Sequence, residues 1–109
     1  MIDKVFLNLY NLLDGDQGAV KEISRDFYNQ LQEDLPRILN YIHGKQYADA
    51  KKIAHKLKGS VMNFDLPEMI ESFITLEQLL ASENAEEAIR FYYHIESQIK
   101  SFHDLMIDL

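Results

Sequence analysis

The stretch "KKIAHKLKGSVMNF", residues 51–64, decides how the chain is read. Ile53, Leu57, Val61 and Phe64 recur at three- and four-residue steps. That spacing places them on one side of a helix. His55 falls about 150° away from that side, at about 100° per residue. It therefore points outward. Lys51, Lys52, Lys58 and Gly59 lie one turn from it, and Met62 lies two turns on. An interior helical glycine costs roughly 1 kcal/mol relative to alanine. An outward glycine has no packing reason, so its use here is access. A missing side chain leaves one edge of the imidazole open, and the lysines offer positive charge to an anion on the ring.

The same three- and four-residue period extends in both directions. Ala50 joins the stripe of this helix, which the pattern predicts over about 46–63. Before it, Ile23, Phe27, Leu31, Leu35, Ile38 and Ile42 predict a long helix from Gly18 to His43, with Gly44 as its C-cap. Pro36 lies inside that helix and removes a backbone hydrogen bond, so a kink or a short break is expected there. Ile2, Val5, Phe6, Leu9 and Leu13 predict a short first helix, ended by "DGDQG" at 14–18. After Phe64, "DLPE" (65–68) reads as a helix start, with Asp65 as N-cap and Pro67 in the first turn. Met69, Ile70, Phe73, Leu76 and Leu80 carry that helix to about Ser82. Ile89, Tyr92, Ile95, Ile99 and Phe102 predict a last helix from Ala85 to Met106.

Nothing alternates with the period of a strand. The fold class is all-α: an antiparallel up-and-down four-helix bundle with a short additional N-terminal helix. The 109 residues fit one domain, 1–109. With 47% hydrophobic residues the chain has material for a real core.

Charge and composition exclude several functions. The net charge of −7 argues against nucleic acid as a partner. Lys45, Lys51, Lys52, Lys56 and Lys58 nevertheless crowd into one stretch with Asp49 as the single acid among them. A local basic patch on an acidic chain points to an anionic group or an acidic partner surface. There is no cysteine, so a disulfide framework and thiolate chemistry are out. No run reaches the roughly 20 apolar residues of a membrane span. The N-terminus lacks the pattern of a signal peptide, so a cytoplasmic location is expected. His43, His55, His94 and His103 lack the three- or four-residue spacing that puts two metal ligands on one helix face, so no metal site is expected.

"AHKLKGS" (54–60) resembles the signature of histidine-containing phosphotransfer (HPt) domains at Ala54, His55, Leu57, Lys58, Gly59 and Ser60. Asn63 and Phe64 stand where that family has a polar–apolar pair, and Leu76-Glu77 recurs at the family's distance downstream. The resemblance implies a phosphorelay intermediate. His55 would accept a phosphoryl group through Nε2 from a receiver-domain aspartate and pass it to another receiver. Lys58 would stabilise the added charge and Gly59 would give access. Lys51 and Lys52 join them on the helical wheel, and Met62 is the candidate apolar contact for a docked partner. Glu77 would either orient the ring through Nδ1, directly or through water, or pair with a surface lysine. The implied partners are response-regulator receiver domains, those of a hybrid histidine kinase among them, and a monomer is expected. The chain is read as a carrier with no cofactor of its own, not as an enzyme; Mg²⁺ would belong to the receiver. The alternative is a bundle that docks without transferring. The family commonly has glycine ten residues after the histidine, where this chain has Asp65.

Overall fold

The computed structural model describes residues 2–109 and contains five helices. These are α1 (Lys4–Leu12), α2 (Gln17–His43), α3 (Tyr47–Val61), α4 (Pro67–Ala81) and α5 (Ala85–Met106). No strand occurs among the described residues. Helices α2 to α5 run alternately up and down. Each packs on the next, and α5 closes the ring against α2. The bundle is elongated, 44 × 21 × 19 Å, in keeping with the 27 residues of α2.

The apolar stripes meet inside. Leu31, Ile38, Leu57, Val61, Phe73, Leu76 and Ile95 are fully buried. Each such side chain contributes about 1.5–3 kcal/mol on leaving water. Phe6 of α1, Phe27 of α2, Phe64 after α3 and Phe102 of α5 pack ring against ring, with Phe27 and Phe64 stacked at 4.7 Å. This cluster seals the end of the bundle that α1 covers. The α1 backbone also accepts there, the Asp65 N–H donating to the Val5 carbonyl at 3.0 Å.

Several expectations need correcting. Ile23 lies at the edge of the α2 stripe and is exposed. Helix α2 continues through Pro36, so the short break is absent. Asp65 does not cap α4. Leu66 occupies the N-cap, and no side chain caps that end. Asp65 instead faces α1, its carboxylate 3.6 Å from the Lys4 ammonium. Its φ is not in the left-handed region, so the turn requires no glycine there.

Gly44 is the C-cap of α2 as expected, but with an ordinary φ of −85°. The left-handed residue is the next one, Lys45, at φ 57°. The Gln46 N–H then donates back to the Tyr41 carbonyl at 2.8 Å. The same closure ends α1, with Asp14 left-handed and Gly15 N–H on the Tyr10 carbonyl. It also ends α4, with Glu83 left-handed and Asn84 N–H on the Leu79 carbonyl. Each is a Schellman closure built on a residue other than glycine.

Candidate functional site

Helix α3 carries the site because its two faces do different work. Ile53, Ala54, Leu57 and Val61 are buried, which fixes the roll of the helix about its axis. That roll puts His55 outside, its side chain 74% exposed. Gly59 stands one turn further on, and a Cβ built there would meet nothing within 4 Å. The ring is open to solvent, and nothing crowds the helix surface one turn on.

The other side of the ring is held. Nδ1 of His55 lies 2.8 Å from Oε1 of Glu77 on α4. Oε2 of the same carboxylate accepts from the Lys58 ammonium at 2.7 Å. Burial pushes the Glu77 carboxyl up, but hydrogen bonds from Lys58 and then His55 outweigh it, leaving the group below the ordinary glutamate value. An ionised carboxylate only accepts. The proton in the short contact with His55 therefore sits on Nδ1, and in the neutral ring Nε2 keeps its lone pair. Both alternatives for Glu77 hold together: it meets the ring directly, and it pairs with a lysine.

The basic patch is smaller than the sequence implies. Lys56 leaves it toward α2, where its ammonium lies 3.3 Å from Oδ2 of Asp34. Asp34 is buried and also receives Arg37 at 3.3 Å. Lys58 is committed to Glu77. Lys51 and Lys52 are exposed and have no ion-pair partner among the described residues, and Lys45 is free in the same sense. Met62, the C-cap of α3, is 62% exposed on the side of the helix that carries His55 and Gly59. Among the described residues no group of three or more metal-ligating side chains comes together. No helix there is long and apolar enough to cross a membrane.

Sequence reasoning missed the ties that hold α3 to α2. Besides Lys56 with Asp34, the Ser60 hydroxyl donates to Gln30 Oε1 at 3.2 Å. The available signal was Asp34 itself, a carboxylate beside Leu31, Leu35 and Ile38 on the buried face of α2. A buried acid requires partners; Arg37 on the same helix supplies one and Lys56 on the neighbouring helix the other.

The fold and this geometry define a class: a four-helix bundle that presents an accessible histidine oriented through its far nitrogen by a carboxylate on the adjacent helix. A family model described as the Hpt domain matches residues 22–103, and the chain belongs to that family. Its members carry phosphoryl groups on histidine in two-component phosphorelays. No match was found among curated proteins or among solved structures.

Proposed function

We propose that His55 is the phosphoryl-accepting residue, taking the group at Nε2 from a receiver-domain aspartate and delivering it to a second receiver. The observation that carries this reading is the 2.8 Å contact between Nδ1 and Glu77 on a residue whose side chain is otherwise 74% exposed. In the transfer, the Nε2 lone pair attacks phosphorus and an N–P bond forms. The P–O bond to the receiver aspartate breaks, and that aspartate leaves as a carboxylate. The proton stays on Nδ1, so the ring gains positive character beside the Glu77 carboxylate, which stabilises it. The return step is the same exchange in reverse order.

Lys58 acts in this scheme through Glu77. It keeps the carboxylate charged and in place, as a positioning residue. Lys51 and Lys52 are the cations left to meet the phosphoryl oxygens or the acidic pocket of a receiver. Each such exposed pair contributes at most about 1 kcal/mol, which suits a group that must leave again. Mg²⁺ and the remaining catalytic groups belong to the receiver in this reading. The partners are receiver domains, including that of a hybrid kinase, and the carrier works as a cytoplasmic monomer.

The test is phosphotransfer from a phosphorylated receiver to the parent chain and to His55→Gln. The parent should label and the variant should not, with the helical circular dichroism of the two identical. Label persisting in His55→Gln would place the acceptor elsewhere. An unlabelled parent that still binds the receiver would favour a docking module without transfer.

A further inference from the structure

We propose that the groove between α2 and α5 is a second anion site, formed by Lys21, Arg25 and His103 and suited to an oxyanion of the phosphate class. The groove has a volume of about 270 Å³ and is lined by these three residues with Met106 and Ile107. Three of its five lining residues are basic and none is acidic, on a chain whose net charge is −7. None of the three has an ion-pair partner among the described residues. Their acidic sequence neighbours, Glu22, Asp26 and Asp104, leave them unpaired.

The groups are placed rather than scattered. Lys21 and Arg25 are four apart on α2, so their charges share one face and repel each other. An anion between them relieves that repulsion. The His103 imidazole reaches the same groove from α5 and is held by Tyr28, the two ring centroids 4.6 Å apart. It lines the groove opposite Lys21 and Arg25, which come from α2. A planar guanidinium beside an ammonium and a ring N–H is a donor set that fits a tetrahedral oxyanion. Buried Met106 and exposed Ile107 supply the apolar part of the lining. The groove lies across the bundle from the α3–α4 face of His55. It is independent of the phosphoryl-carrier reading.

Two-dimensional NMR with inorganic phosphate, at ionic strength matched with sodium chloride, tests the site. The His103 ring and Arg25 side-chain resonances should shift and saturate, while chloride alone leaves them in place. Arg25→Ala and Lys21→Ala should each weaken binding about fivefold or more. His55→Gln should bind phosphate as the parent does. A second arm uses phosphatidylcholine vesicles containing phosphatidate. Capture by these vesicles that depends on Arg25 assigns the anion to a lipid headgroup, and phosphate binding without capture assigns it to a free phosphate. Shifts that fail to saturate, that persist in Arg25→Ala, or that centre on Lys51 and Lys52 would overturn the proposal.

Discussion

Glu77 answers to two donors on α3, and its protonation controls both contacts. Its side chain is only 12% exposed, so neither donor is easily replaced by water. Its pKa is lower folded than unfolded, where it sits near 4.5. The unfolded chain therefore takes up this proton more readily, and the contribution of Glu77 to stability is fully present above about pH 4.5. It is lost as pH falls through the lower, folded value. Glu77→Gln keeps the shape and removes the charge. The variant should be less stable than the parent at pH 7, by about 1–3 kcal/mol for loss of charge-assisted bonds. The difference should shrink as pH is lowered below 4.5 in urea unfolding experiments. A gap that does not change with pH would mean the carboxylate charge is not what holds α3 to α4. The same variant should transfer phosphoryl groups more slowly, since an amide can turn either end toward Nδ1 and no longer selects one tautomer.

The helix ends and the glycine of α3 are properties of elements, and they separate what the sequence tells from what it withholds. Periodicity was enough for the helices, because Leu31, Leu57, Phe73 and Ile95 are each part of a stripe that only a helix can bury. The outward bearing of His55 followed from the same arithmetic. The terminations did not. Gly44 reads as the cap of α2, yet the left-handed residues that end the helices include Lys45, Asp14 and Glu83, because the backbone closure rather than the side chain sets that conformation. Asp65 read locally as a cap, but α1 competes for it, and a partner sixty residues away in sequence has no local signature. A lysine partner for Glu77 was legible, but which lysine it takes and the pairing of Lys56 with Asp34 depend on how the helices are set against each other.

Two outcomes follow at this scale. Glu83→Gly relieves a left-handed backbone cost of roughly 1–2 kcal/mol and loses somewhat less in added freedom of the unfolded chain. Thermal or urea unfolding should show a net gain of about 0.5 kcal/mol, and a destabilised variant would show that the Glu83 side chain matters more than its backbone. Gly59→Gln, on a surface where a Cβ meets nothing, should stabilise the bundle by up to about 1 kcal/mol. It should nonetheless slow phosphotransfer sharply, while Gly59→Ala slows it less. Transfer by the glutamine variant at the parent rate would remove the access role of Gly59.

For the molecule as a whole, charge is unevenly distributed. The chain carries −7, yet Lys45, Lys51 and Lys52 have no ion-pair partner among the described residues and lie toward the N-terminal half of α3 on the site face. A receiver with an acidic pocket would meet attraction there and repulsion elsewhere, which orients the encounter. Stopped-flow association with a receiver should therefore slow as salt rises to physiological strength, where the Debye length is about 8 Å. Replacing Lys51 and Lys52 together with alanine should lower the association rate and flatten its salt dependence, with less effect on dissociation. A rate insensitive to both would assign docking to the apolar surface around Met62.

Lys56 and Lys58 flank His55 in another sense. On the helical wheel one stands about 100° to one side of the histidine and the other about 60° to the opposite side. One is tethered to α2 through Asp34, the other to α4 through Glu77. The two tethers pull in opposing senses about the axis of α3, like stays on either side of a mast. The buried stripe sets the heading of the imidazole and the two tethers add to it from either side, so an arriving partner has only its own position to find.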